Sequence, residues 1–389
     1  MKLTTRTAEI IIIGGGVMGA SLAYHLSKRG CTDVTVLEKG KAIGEGSTGK
    51  ATGGFRTQFS TEVNIKLSIL SRDKLKTFQE EVGIDSGYSP NGYLFIIHNQ
   101  ETFNKIKSIR TLQNNCGLND VFDLSINEVQ KLQPFINLQG AFGGVYCPSD
   151  GFINPINILQ GYTNKAKELG VKFIYKCDCE KFEVLNNRIV TVSTSSGVFF
   201  AETFVNAAGA WASIIAEKAG IKLNVTPLKR QVAVLQEIDL LPSKLPMTIF
   251  LEDGFHFRVR NRQLLLLNPT LPETIDPFDT KVEPNWLKKT HEISKKRIPI
   301  LKHTSIDIEN SWAGLYEMSP DEHAIIGKSE LENFYFMNGS SGHGIMHAPA
   351  LGQLLAEEIL DGKAHSLDIS ALRPSRFKEG KLNLNLHLL

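Results

Sequence analysis

Residues 9–26 read EIIIIGGGVMGASLAYHL, and this stretch decides the fold. Glu9 to Ile13 is a short β-branched run of the kind a strand buried on both faces requires. Gly14, Gly16 and Gly19 follow in the spacing GxGxxG, and Ala20, Ala23 and Leu26 continue as one helical face that Gly30 closes. DVTVLE then supplies a second strand ending in Glu38, an acid about 20 residues past the glycines. Glycines in this pattern let a pyrophosphate approach a helix N-terminus. An acid at the tip of the second strand can accept both ribose hydroxyls, which argues against a 2′-phosphate. The unit therefore predicts a dinucleotide site for NAD or FAD, and by itself does not separate the two.

Outward from this unit the chain does not continue as simple βα repeats. KGKAIGEGSTGKATGGFRTQF is a long loop of small residues carrying one arginine, Arg56. Loops of that length are usually functional or disordered. Helical sequence at 63–82, a strand in NGYLFII and a helix at 157–169 follow. VKFIYKCDCEKFEV reads as one strand with Cys177 and Cys179 on the face of Phe173 and Tyr175. A hairpin leads to Val205–Ala210, where an apolar strand runs into tiny residues, and 225–312 is β-rich. The segment 334–364 again reads strand, glycine turn, helix, with Pro349 in the tolerant first turn and Gly362 as the stop. KLNLNLHLL at 381–389 alternates like a half-buried strand. Three returns to the same motif predict a discontinuous nucleotide domain, 1–85, 146–222 and 316–389. Residues 86–145 and 223–315 form a second, substrate domain.

The 389 residues carry a net charge of +2, which gives no general pull toward nucleic acid or membrane. No apolar run reaches the ~18 residues of a membrane span. The polar start MKLTTRTAEI leads straight into the first strand and is expected to hold no signal peptide. Five cysteines, an odd number without metal-ligand spacing, fit a reducing compartment. A cytoplasmic protein without a metal site is the expectation.

GxGxxG with Glu38, GSTGKATGGFRTQFS (46–60), NAAGAWAS (206–213), PLKRQ (227–231), GLYEMSPDEHAIIG (314–327) and GSSGHGIMHAPALGQLLAEEIL (339–360) together resemble the FAD-dependent D-amino-acid oxidase superfamily. The branch they look like is that of the sarcosine oxidases and the dye-linked L-proline dehydrogenase β-subunits. The resemblance implies an α/β, Rossmann-type FAD domain interleaved with a mixed β-sheet substrate domain, and it decides the open question for FAD. It implies Gly14, Gly16, Val17, Met18 and Gly19 at the pyrophosphate, Glu38 and Lys39 at the adenosine ribose, and Ser47 and Thr48 at the pyrophosphate and ribityl chain. Cys179 would meet the adenine by its backbone. Ala208, Gly209, Trp211, Gly314 and Gly342–Met346 (Gly342, His343, Gly344, Ile345, Met346) would line the cofactor, the last group at the flavin pyrimidine edge.

The resemblance further implies oxidation of a C–N bond alpha to a carboxylate, with hydride passing from Cα to flavin N5. A guanidinium suits a carboxylate because its fork donates two parallel bonds. Arg56 falls in the register of the family's carboxylate-binding arginine. Two departures stand out: Gly314 occupies the position of the flavin-bonding cysteine, which implies non-covalent FAD, and Met346 replaces a second, lysine grip. His256, in DGFHFRVR, either touches the substrate or is a structural histidine, and at least one of Arg258 and Arg260 should face solvent. Leu266 falls where oxygen-using relatives place a lysine, so electrons are expected to go to an acceptor other than O2. The alternatives are an O2-using amino-acid oxidase, or the flavin-bearing subunit of a hetero-oligomeric dehydrogenase. The expected ligand is a small amino or imino acid of the proline, sarcosine or glycine type. A homo- or hetero-oligomer and an electron-accepting partner fit the same branch.

Overall fold

The computed structural model describes residues 5–239, 241–242, 244–270 and 276–383. Its first sheet is built around the opening strand Thr5–Ile13. That strand lies parallel between Val34–Leu37 and Gly197–Asn206. Lys172–Ile174 adds parallel to Val34–Leu37, and Phe334–Asn338 adds parallel to Gly197–Asn206. Ile325–Lys328 closes one end antiparallel, and Cys179–Leu185 with Arg188–Thr194 forms a meander onto Gly197–Asn206. Ile10 to Ile13 are buried on both faces, which is why the run is unbroken isoleucine.

Helices Val17–Lys28, Pro155–Glu168 and Gly344–Asp361 cover one face of this sheet, with Glu62–Lys76 outside them. Gly19 explains the closeness of the opening helix to its strand. A Cβ there would lie 2.0 Å from the Gly14 carbonyl oxygen. Asn154 caps the helix Pro155–Glu168 by accepting from the amides of Ile156 and Asn157, with proline at the tolerant first position.

The second sheet runs in the order Ile306–Met318, Thr226–Leu235, Gln263–Leu267, His256–Arg260, Met247–Phe250, Tyr93–Ile97, Gly143–Cys147, Phe122–Leu124. Its pairs are antiparallel except Met247–Phe250 with Tyr93–Ile97. Alternation assigns the faces. Leu94, Ile96, Phe257, Leu264 and Leu266 pack into a core completed by Trp286 and Leu287 of the helix Pro284–Arg297. Tyr93, Phe95, Met247 and Ile249 look the other way, toward the first sheet. The boundaries at 145/146 and 315/316 fall inside two of these strands, Gly143–Cys147 and Ile306–Met318.

Three expectations are corrected. VKFIYKCDCEKFEV is two strands, Lys172–Ile174 and Cys179–Leu185, because Lys176 turns the chain at φ +53°. Both cysteines are nevertheless buried. Pro349 lies inside the closing helix rather than in its first turn, and the helix continues past it to Asp361. Leu266 points into the core, and its neighbour Leu267 is the one that faces the space between the sheets. The C-terminal strand falls mostly outside the described residues. Of it only Lys381–Asn383 is described, without strand pairing, and the Asn383 side chain donates to Asp321 at 3.1 Å.

Candidate functional site

One cavity of about 860 Å³ runs between the two sheets, inside the ~300–1,000 Å³ range of ligand pockets. Of the residues assigned to the cofactor or to catalysis from sequence, Gly19 alone does not line it, because it packs the opening helix against its strand; Arg258, Arg260 and Leu266 lie outside it as well. At one end the strand Thr5–Ile13 delivers Gly14 at φ +110°, and the helix starts at Val17 without a side-chain cap from Gly16. The Val17 amide is met by Thr48 Oγ1 at 3.1 Å. A helix N-terminus aimed into a cavity, with only its first amide met by a side chain, is suited to a pyrophosphate. Glu38 is fixed beside it, accepting from the Gly15 amide at 2.8 Å and the Gly40 amide at 2.6 Å. Lys39 lies over the Trp211 ring at 3.1 Å, and burial lowers its pKa. Lys218 donates to the Cys179 carbonyl. A second uncapped helix start, Gly344, reaches the cavity farther along, after the turn Gly342–His343 that rests on the Tyr316 ring. Two helix starts on one cavity, with an acid beside the first, fit a flavin dinucleotide.

The other end is cationic and tightly built. The two-residue strand Gly54–Phe55 pairs with Gly151–Phe152 and presents Arg56, which is 7% exposed. The next two residues are clamped by fully buried Asp150. Its carboxylate accepts from the Thr57 amide at 2.7 Å, Thr57 Oγ1 at 2.6 Å and Gln58 Nε2 at 3.2 Å. Burial still pushes Asp150 up to about 6. Arg56 donates to the Gln58 carbonyl at 3.4 Å and to His343 Nε2 at 3.1 Å, and lies 4.2 Å from the Phe59 ring centre. None of the ion pairs among the described residues involves it.

Because arginine only donates, His343 must accept at Nε2 and carry its proton on Nδ1. Burial and the Arg56 charge hold it neutral, well below its ordinary pKa. His256 is neutral too: Nδ1 donates to the Gly254 carbonyl at 2.7 Å, Nε2 is left as an acceptor, and burial pushes it down to about 4. Both line the cavity, and so does buried Met346. Arg258 is buried against the Phe152 ring at 3.7 Å, while Arg260 faces solvent beside Trp312.

Sequence reading missed Tyr93, Arg230, Tyr316, Glu317 and Glu322, all of which line the cavity. The signal for Arg230 is parity. Val232, Leu267, His256 and Ile249 form one cross-strand row facing the cavity, and Arg230 lies two residues before Val232 on the same face. Burial raises Glu317 to about 7; Oε1 accepts from the Ser340 amide at 3.3 Å and Oε2 has no partner among the described residues. At Gly314 a Cβ would meet Lys50 Cβ at 2.7 Å. Cys177 and Cys179, the described cysteines that line the cavity, lie at the Glu38 end. No group of acids, histidines and cysteines among the described residues could hold a metal ion, and no described helix is long and apolar enough to cross a membrane.

Comparison with known proteins agrees with this geometry. Residues 9–358 match the DAO family, FAD dependent oxidoreductase. The chain is 30% identical over 424 residues to FAD-dependent oxidoreductase domain-containing protein 1 of Xenopus laevis, covering 96% of this chain and 83% of that protein. It is 29% identical to mitochondrial dimethylglycine dehydrogenase of Rattus norvegicus, covering 95% of this chain but 45% of that longer protein. L-proline dehydrogenase from P. horikoshii superposes with a TM-score of 0.89 at 31% identity, over 98% of this chain and 100% of that one. Glycine oxidase from Geobacillus kaustophilus shares the fold, with a TM-score of 0.82 at 22% identity over 95% and 99%. With the cavity and these relatives in agreement, the chain belongs to the DAO family of FAD-dependent oxidoreductases.

Proposed function

We propose that the chain oxidises the C–N bond of a small amino or imino acid and passes the electrons to an acceptor other than O2. The observation that carries this reading is Arg56, a buried guanidinium on a clamped strand end, facing the cavity and in no ion pair with a carboxylate among the described residues. A desolvated cation in that state is ready to grip a substrate carboxylate through two parallel bonds. FAD, when bound, supplies the two-electron acceptor. Glu38 and the helix start at Val17 would hold its adenosine and pyrophosphate, and the turn 342–346 its ring end.

The chain's own contribution is placement. His343 accepts from Arg56 and so fixes the fork's orientation. His256, neutral with Nε2 as an acceptor, can take a hydrogen bond from the substrate ammonium without repelling it. Tyr93, Met247, Ile249 and Met346 exclude water from that end. Arg56→Ala is expected to keep bound flavin and lose about 30-fold or more in kcat/KM, the kinetic equivalent of ~2 kcal/mol, with Arg56→Lys between. Flavin-replete Arg56→Ala with near-normal kcat/KM would show that the carboxylate is held elsewhere.

Two separately hydrogen-bonded sheets, the second with a core of its own against the helix Pro284–Arg297, support the division into an FAD domain and a substrate domain. Non-covalent FAD is supported by Gly314 and by the distribution of cysteines. Five free cysteines support a reducing, cytoplasmic setting. An O2-using oxidase is the second reading, favoured by Arg230, a cation on the cavity wall able to stabilise developing superoxide. The first reading takes Leu267 as the facing residue of the neighbouring strand and expects slow reaction with O2. Peroxide formed under air as fast as a dye is reduced would decide for the oxidase.

A further inference from the structure

The strand Gln263–Leu267 ends in a neutral donor that the grip on a carboxylate leaves unused. Asn268 follows that strand, is 8% exposed and lines the cavity. Its Oδ1 accepts from the Thr270 amide at 3.2 Å and from Thr270 Oγ1 at 2.8 Å. A backbone amide only donates, so the side-chain oxygen of Asn268 must be the atom that faces Thr270, and the NH2 group points away from it. Among the described residues nothing accepts from Nδ2.

Strand register locates this donor relative to Arg56. Ile249, His256, Leu267 and Val232 form the cross-strand row on the cavity wall. Met247, two residues before Ile249, and its partner Tyr93 stand to one side of the row. Arg56 belongs to that side: it follows Gly54, where a Cβ would lie 2.1 Å from the Tyr93 hydroxyl. Asn268, one residue past Leu267, stands on the other side, and so does Arg230, whose Nη1 donates to the Pro269 carbonyl at 3.3 Å. Pro269 in turn lies against Gly254, whose carbonyl holds His256 Nδ1. His256 therefore stands between the Arg56 side of the wall and Asn268.

A substrate with its carboxylate on Arg56 and its amine at His256 extends its nitrogen substituent or its side chain toward Asn268. Flavin and substrate together displace water from this wall, and a buried N–H that then finds no acceptor is unfavourable. An oxygen on the far part of the substrate satisfies it. Both partners of such a bond can be neutral, so it requires no net charge at this end of the cavity. We propose that Asn268 is a specificity-determining residue whose Nδ2 donates to that oxygen, so that the preferred substrate is an amino or imino acid bearing an acceptor oxygen beyond its α-carboxylate. This rests on the C–N oxidation reading above and narrows its substrate class.

The test uses the flavin-loaded protein and two thioethers of matched shape that cannot form an imine, (carbamoylmethylthio)acetate and isobutylthioacetate. They share one carboxylate and differ in whether the far end carries a carbonyl oxygen. Perturbation of the flavin absorption reports binding directly. The amide is expected to bind about 5-fold or more tightly than its apolar counterpart, the effect of one neutral hydrogen bond. Asn268→Asp keeps an oxygen for Thr270 and puts an acceptor where the donor stood, so the fold is retained and the preference should vanish; Asn268→Leu should reverse it. Equal binding of the two thioethers by wild type, or an Asn268→Asp protein that still prefers the amide, would overturn the proposal. So would a colourless Asn268→Asp protein, which would assign Asn268 to the cofactor. Anaerobic bleaching then separates this proposal from the reading beneath it. Wild type bleached by N-isobutylglycine as readily as by N-(carbamoylmethyl)glycine removes the proposal and leaves C–N oxidation standing. Failure of every amino and imino acid to bleach the wild type removes both.

Discussion

Arg56 and the three buried imidazoles near it are a study in charge placed by desolvation. His347 shows it most clearly. It is buried with Nε2 2.8 Å from Ser68 Oγ, faces Arg56 and His323, and is pushed down to about 3. The folded protein therefore binds fewer protons at this site than the unfolded chain, whose histidine titrates near 6.5. Its contribution to stability is complete above pH 6.5 and is lost as pH falls from there toward 3. Urea midpoints measured at pH 7 and at pH 4.5 should drop in acid by less in His347→Gln than in wild type. An unchanged drop would mean that other groups carry the acid sensitivity. Arg56 itself was legible in the sequence because it stands alone in a loop of small residues. Arg230 was not: its facing depends on pairing with Gly314, more than eighty positions away, and no local pattern records that register.

At the scale of the element, the strand end Gly54–Phe55 is too short to hold Arg56 alone. Asp150 does so from the neighbouring strand's approach, using three donors from Thr57 and Gln58. Asp150→Asn replaces one accepting oxygen with a donor and leaves a buried clash with an N–H or O–H. A loss of ~1–3 kcal/mol in unfolding free energy is expected, with KM raised more than kcat is lowered because the guanidinium is misplaced. Calorimetry together with steady-state kinetics separates these effects. A stable variant with wild-type KM would release Asp150 from this role. Elements bounded by local chemistry were readable: the opening strand–turn–helix, the Asn154-capped helix and the stop at Gly362 all carry their own signals. The break at Lys176 was not, because a lysine in left-handed backbone has no sequence mark. Pro349 was placed too early in its helix for a related reason. Its environment is set by the opening helix, where Ser21 Oγ donates to the Ala348 carbonyl at 2.7 Å.

For the whole molecule, two sheets enclose one elongated cavity, with the dinucleotide features at one end and the cationic, water-poor chamber at the other. The returns of the chain to a glycine turn made this division visible in outline. The faces of the second sheet needed the strand order, which moved the cavity-facing position from Leu266 to Leu267. The same arrangement keeps every described thiol away from Gly314, so acid precipitation should leave a colourless pellet and yellow supernatant. Colour that stays with the pellet would contradict non-covalent attachment. The central claim, that this chamber presents an amino or imino acid to the flavin by its carboxylate, is tested most directly by anaerobic titration of the flavin-loaded protein. Wild type should bleach fully with one equivalent of a suitable amino or imino acid, and Arg56→Ala should bleach at least about 30-fold more slowly at limiting substrate. A wild-type flavin that no such acid bleaches, or an Arg56→Ala flavin that bleaches at the wild-type rate, would contradict the account.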